Sequence, residues 1–183
     1  MKVYFVTKNK LKFEEDRELL AGHGIDVEHI DMEVPEIQAE PEEIAKCKAR
    51  HAAKQTGKPC FTDDTALCFN ALNSLPGEYV KFFVEKLGLQ KMVKLLDGFD
   101  DKTAKAVALV AYCEPGKEPV VFEGAVEGTI VNPRGTRFAW DPIFMPDGHK
   151  KTYAEMTLEE KNRISHRKKA IEKFAEYLKN GGG

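Results

Sequence analysis

The chain lacks the glycine-rich fingerprints that usually cradle phosphate. Neither Gly-x-Gly-x-x-Gly nor Gly-x-x-x-x-Gly-Lys occurs in its 183 residues, which excludes the dinucleotide and P-loop routes. Cysteine is sparse and unpaired in pattern: Cys47, Cys60, Cys68 and Cys113 show no Cys-x-x-Cys spacing. That weakens zinc and redox readings, and four free thiols without a signal-peptide pattern fit a reducing, cytoplasmic location. The longest strongly apolar stretch, residues 106–113, is far too short to span a membrane. Neither charge dominates: 28 Lys+Arg stand against 30 Asp+Glu. No affinity for nucleic-acid polymers or membranes is therefore expected, and any phosphate binding must be local. Gly-x-Ser-x-Gly is absent, which removes the serine-hydrolase elbow. His23, His29, His51 and His149 have no mutual metal-ligand spacing.

What is present is an alternation of strand and helix patterns. Lys2-Val3-Tyr4-Phe5-Val6 reads as a strand and residues 9–20 as a helix ending near Gly22 or Gly24. Residues 25–30 alternate as a strand, and Pro35 makes 31–40 an extended loop or edge segment. Pro41 opens a helix that Gly57 stops. Cys60-Phe61-Thr62 predicts a short buried strand ending at Asp63-Asp64-Thr65. Amphipathic helices are predicted over 79–87 and 89–96, then strands over 103–113 and 120–131 joined by Glu114-Pro115-Gly116-Lys117. Thr157-Leu158-Glu159-Glu160 is a capping-box pattern, and the last helix carries Ile171, Phe174 and Leu178 on one face. The pattern predicts an α/β fold with a sheet of mixed direction, a single domain over 1–180, and a disordered tail over 181–183.

Five segments carry chemistry. Thr7-Lys8-Asn9-Lys10-Leu11-Lys12 lies at a strand-to-helix turn, where free N–H groups favour anions; a solvated lysine run is the other reading. Glu36 and Asp63-Asp64 suit a Mg²⁺ ion held by one or two carboxylates with substrate phosphate. In extended chain the two aspartates point to opposite sides, so one of them reaches a shared site. A solvated turn is the alternative for that pair. Phe138-Ala139-Trp140-Asp141-Pro142 holds the only tryptophan and an aspartate that the proline sets in extended conformation. It reads either as a platform for a flat heterocycle or as a core aromatic cluster. Ser165-His166-Arg167, preceded by Lys161, reads as the anion-friendly start of a helix, with Ser165 as cap, or as an exposed basic turn.

Six segments in order carry a resemblance: Thr7-x-Asn9-x-x-Lys12, Pro35-Glu36, Asp63-Asp64-Thr65, Leu75-Pro76-Gly77, Phe138-x-Trp140-Asp141-Pro142 and Ser165-His166-Arg167. Together they resemble the inosine triphosphate pyrophosphatase family, and residues 67–72 and 152–156 resemble its eukaryotic members. The resemblance implies a two-lobed fold with a long central mixed sheet flanked by helices, an active-site cleft between the lobes, and a homodimer. It implies hydrolysis of ITP, dITP or XTP to monophosphate and pyrophosphate with Mg²⁺ or Mn²⁺, clearing the nucleotide pool. Glu36 and Asp64 are then metal ligands, and Asp64 and Lys12 are catalytic. Thr7, Lys8, Asn9, Lys10, Leu11, Lys12, Lys46, Asp64 and Thr65 contact the nucleotide. Phe138, Ala139, Trp140, Asp141, Lys161, His166 and Arg167 form the base pocket. Two positions depart from the family pattern: Lys8, where a small or neutral residue is usual, and Ala139, where glycine is common and negative φ would be required. A septum-inhibitor-like pyrophosphatase would open with a Ser-x-Ser-x-Arg-Arg segment, which is missing. A non-catalytic nucleotide-binding module would lack a carboxylate or phosphate lysine that this chain has.

Overall fold

The computed structural model describes residues 2–136 and 139–181. Strands β1 (Lys2–Val6), β2 (Asp26–Ile30), β3 (Cys60–Phe69), β4 (Pro76–Gly77), β5 (Thr103–Cys113), β6 (Val120–Ile130) and β7 (Phe144–Pro146) build one seven-stranded sheet. Its order is β2-β1-β3-β5-β6-β7, with β4 paired on β3. β1 runs parallel to β2 and β3, whereas β4 and β7 pair antiparallel, so the sheet is mixed as expected. The helices are α1 (Lys10–Ala21), α2 (Pro41–Thr56), α3 (Val80–Leu87), α4 (Leu89–Lys94), α5 (Leu158–Ile164) and α6 (His166–Lys179). Among the described residues, no helix is long and apolar enough to cross a membrane.

The chain divides into two compact units. The first is Met1–Asp64, Ala108–Gly124 and Arg167–Gly183; the second is Thr65–Val107 and Ala125–His166.

In the first unit the period-2 alternation of β1 sorts its side chains into two cores. Val3 and Phe5 join Leu20 of α1 and Ile171 and Phe174 of α6. Phe5 stacks on Phe61 with ring centroids 4.4 Å apart, and Phe61 meets Phe174 at 5.1 Å. Tyr4 and Val6 instead join Ala52 of α2 and Cys60. Hence α1 and α6 cover one face of β1, and α2 covers the other. Pro41 opens α2 and Gly57 ends it at φ 65°, a left-handed turn that glycine makes without a Cβ clash.

The core of the second unit gathers Leu67 and Phe69 of β3, Ala104 and Ala106 of β5, and Ile130 of β6. Val80 of α3, Met92 of α4, Leu96 and the aromatics Trp140, Phe144 and Tyr153 close it. The Thr157 hydroxyl accepts from the Glu160 N–H, and the Glu160 carboxylate accepts from the Thr157 N–H, so the predicted capping box is complete.

One boundary is corrected. β3 runs through Asp63, Asp64 and Thr65 and does not end before them. Two carboxylates in mid-strand break the apolar pattern, but each is matched by a cation, Asp63 by Arg167 and Asp64 by Lys48, and the strand continues to Phe69.

Candidate active site

The turn after β1 is built by local hydrogen bonds. Asn9 caps α1 in extended conformation, its Oδ1 accepting from the N–H of Leu11 at 3.0 Å and of Lys12 at 3.2 Å. Thr7 Oγ1 accepts from Asn9 N at 3.1 Å, and Thr7 N bonds to Ile30 O of β2. This holds the hydroxyl and amide beside a helix start, where partial positive charge collects. Lys12 Nζ donates to Asp63 O at 2.8 Å, which points it along β3. Lys8 pairs with Glu33 at 2.9 Å, with both side chains exposed, an arrangement worth about 0–1 kcal/mol. Lys10 and Leu11 are exposed on the first turn of α1.

The two neighbouring aspartates take different partners, as extended chain requires. Asp64 Oδ1 accepts from Lys48 Nζ at 2.7 Å, and Glu36 Oε1 accepts from the same nitrogen at 3.1 Å. One ammonium therefore draws together the two carboxylates expected to bind metal. Burial opposes the charge on Lys48, but Asp64 and Glu36 outweigh it and raise its pKa above the ordinary lysine value. Asp64 Oδ2 is buried with no hydrogen-bond partner among the described residues. Two convergent carboxylates with an orphaned acceptor fit a hard cation that completes its shell from water and phosphate. No group of three or more His, Cys, Asp or Glu suited to a metal occurs among the described residues, so an ion on this pair would complete its shell beyond those side chains.

Lys46, the lysine singled out by resemblance, lies half-buried on α2. It pairs with Glu42 at 2.7 Å and Glu43 at 3.2 Å on its own helix. Lys48 is at the carboxylates because of the helical period: Ile44, Lys48 and Ala52 recur every four residues on the buried stripe of α2. A lysine in an apolar stripe was the signal.

Arg167 opens α6 in the first unit. Its Nε donates to Asp63 Oδ2 at 3.0 Å, its Nη1 pairs with Glu15, and Asp16 Oδ1 lies 3.3 Å from Nε. It is buried, yet the three carboxylates raise its pKa further, so it is a permanent cation. The base-pocket expectation treated Arg167 as an available donor; in the structure Nε and Nη1 are engaged by acids. Thr65 lies half-buried in the second unit.

The second unit holds its own polar pair inside aromatic walls. Lys161 Nζ donates to Asp141 Oδ2 at 2.7 Å, both side chains being buried, and sits 5.4 Å from the Tyr153 ring centroid. Trp140 lies 5.4 Å from His166, and Tyr153 stacks on His166 at 5.8 Å. Trp140 is itself packed in the core, while Phe138 lies outside the described residues. Asp141 is not extended as predicted: it begins a 3₁₀ turn, Asp141–Ile143, whose Ile143 N bonds back to Trp140 O. Packing of Ile143 and Trp140 in one core overrides the preference before proline.

Ala139 departs from the condition set for it. Its φ is +54°, in the left-handed region, where a Cβ costs about 1–2 kcal/mol. Ala139→Gly is expected to raise the melting temperature by about 2–4 °C, a net gain of about 1 kcal/mol. A lower melting temperature would show that the methyl's contact with the core outweighs the backbone strain.

The Ham1 family model matches residues 3–177. The chain belongs to the Ham1 family. The inosine triphosphate pyrophosphatase of Emericella nidulans is 52% identical over 178 residues, 96% of each chain. The dITP/XTP pyrophosphatase of Methanopyrus kandleri is 44% identical over 183 residues, 98% of this chain and 97% of that one. A HAM1 protein from Coxiella burnetii has the same fold, with a TM-score of 0.86 and 34% identity across 99% of this chain and 100% of that one. The resemblance read from the six segments is borne out, with fungal proteins among the relatives.

Proposed function

We propose that the chain hydrolyses ITP, dITP and XTP to the nucleoside monophosphate and pyrophosphate. The observation that carries this reading is the joint pairing of Glu36 and Asp64 with Lys48, in the same unit as the Thr7–Lys12 turn. Fixed cations and an anion-favouring helix start suit a polyphosphate, and an orphaned carboxylate oxygen suits a water molecule's proton. Water oxygen bonds to the α-phosphorus as the bond from that phosphorus to the bridging α–β oxygen breaks. Asp64 takes the water's proton, and Lys12 and Lys48 carry the charge of departing pyrophosphate. Glu36 and Asp64 would hold Mg²⁺, or Mn²⁺, which supplies Lewis-acid polarisation of a phosphoryl oxygen.

Lys161 and His166 suit a 6-oxygen as donors, with Trp140 and Phe138 supporting the ring and Asp141 orienting Lys161; Arg167, whose Nε and Nη1 are held by Asp63 and Glu15, would reach the base through Nη2. A 6-amino group would leave such donors unsatisfied, a mismatch that can discriminate by about 10⁴-fold. The role inferred is removal of non-canonical purine triphosphates from the nucleotide pool. The protein is further proposed to be a homodimer, which sedimentation equilibrium tests against the 20.6 kDa chain mass.

Phosphate release should be measured with and without added inorganic pyrophosphatase, across ITP, dITP, XTP, GTP, ATP and dUTP. ITP and XTP are expected to exceed ATP by at least about 10²-fold in kcat/KM, with orthophosphate appearing only when pyrophosphatase is present. Orthophosphate without the coupling enzyme would place the cleavage at the wrong bond. A dUTP preference would favour a different nucleotide pyrophosphatase.

A further inference from the structure

The inward stripe of α1 contains a charged residue where a hydrophobe is expected. Its buried positions are Asp16 and Leu20, with Phe13 partly buried a turn earlier, the spacing of an amphipathic helix facing its core. Asp16 is 0% exposed, and neither of its carboxylate oxygens has a hydrogen-bond partner among the described residues. Its Oδ1 stands 3.3 Å from Arg167 Nε, the same nitrogen that donates to Asp63 Oδ2 at 3.0 Å. The other oxygen of Asp63, Oδ1, is also buried without a partner.

The charged groups facing Asp16 are Lys12 and Glu15 of α1, Asp63 of β3 and Arg167 of α6. Three carboxylates thus meet two cations, one negative charge in excess. An uncompensated buried carboxylate costs several kcal/mol, and binding a proton is the usual resolution. Burial, and then the charge of Asp63, push Asp16 well above the carboxylate range against the pull of Arg167 and Lys12. A proton there removes the excess charge and turns an orphan acceptor into a hydroxyl donor.

We propose that Asp16 is a positioning residue: a neutral carboxylic acid that, with Asp63 and Glu15, fixes Arg167, and whose ionisation weakens the hold on substrate. Once ionised, a third carboxylate competes for the guanidinium and cancels its field. The kinetic consequence rests on the reading that Arg167 contacts the base; the protonation does not.

The test compares wild type with Asp16→Asn, the neutral isostere. Infrared difference spectra taken across a pH titration should show, above about pH 5 where an ordinary carboxylate is ionised, a protonated-carboxyl C=O band in wild type that the variant lacks. Thermal melts give a second readout. From about pH 4 up to the folded-state value of Asp16, the folded protein keeps a proton that the unfolded chain has lost, so stability falls as pH rises. The Tm advantage of Asp16→Asn should accordingly grow with pH. In kinetics, wild-type KM for ITP should rise by up to about tenfold per pH unit once Asp16 ionises, with kcat unaffected by that titration, and the variant should lack this limb. Absence of the band, parallel pH slopes in the melts, or a variant that does not fold would overturn the proposal. If neither protein hydrolyses ITP at any pH, the proposed function fails, while spectra and melts still decide the state of Asp16.

Discussion

Asp64→Asn is expected to reduce ITP hydrolysis by at least about 10³-fold while the protein stays folded. General-base removal alone is worth about 10²–10⁴, and the same change halves the carboxylate pair proposed to hold the divalent ion. The amide keeps the shape of the side chain and an oxygen for Lys48 Nζ, now 2.7 Å from Asp64 Oδ1. The orphaned Oδ2 is the atom whose chemistry changes: an NH₂ there cannot accept a proton from water. Rate loss should therefore far exceed stability loss. Lys48 retains Glu36, and a fall in Tm of about 2–4 °C, or about 1 kcal/mol, is the most expected. The measurement is kcat across a Mg²⁺ titration, alongside melts. Near wild-type turnover at saturating Mg²⁺ would remove Asp64 from the mechanism, and a large Tm loss with unchanged rate would make it a purely structural residue.

What the sequence made legible was local. The Asn9 cap spans three residues, the Thr157–Glu160 box likewise, and Pro41 and Gly57 bracket α2 by their own backbone preferences. Each is decided by side chains a few positions apart, so pattern reading reaches them. The partners of the acids are not of that kind. Lys12 meets Asp63 across 51 positions and Arg167 meets it across 104, and no spacing rule predicts such pairings. For the same reason β3 was cut short at Asp63-Asp64, because the cations that let carboxylates stay in a strand come from α1, α2 and α6. Lys48 is a different case: resemblance points to Lys46 on α2, whereas the Ile44–Ala52 stripe singles out Lys48 as the lysine that meets Glu36 and Asp64. Asp16 sits in an equivalent stripe on α1, and both cases turn on the same cue: an ionisable side chain at a core-facing helical position.

Lys48→Met separates the structural role of that lysine from its chemical one. The lysine stem is buried, its side chain only 7% exposed, and methionine can occupy that space without the charge. Its partners differ in what they lose. Glu36, 58% exposed, can turn to water, whereas Asp64, 26% exposed, can do so only in part. The cost should be about 2 kcal/mol, below the 3–5 typical of breaking a fully buried pair, and so about 4–8 °C in Tm. The raised pKa of Lys48 means its stabilising charge is fully present below about pH 10 and fades only as pH climbs through the folded value. The Tm difference should hence be constant between about pH 6 and 9. Turnover should fall by about 10²–10³, since the cation proposed to carry the charge of leaving pyrophosphate is lost. Divalent-ion affinity should move the other way. With no nucleotide present, Mn²⁺ should bind Lys48→Met on the order of tenfold more tightly than wild type, because an ammonium no longer competes for the same two carboxylates. Tighter Mn²⁺ binding with slower hydrolysis would establish that the lysine serves the phosphate and not the metal. Weaker Mn²⁺ binding in the variant would show instead that Lys48 is needed to hold Glu36 and Asp64 together as a site.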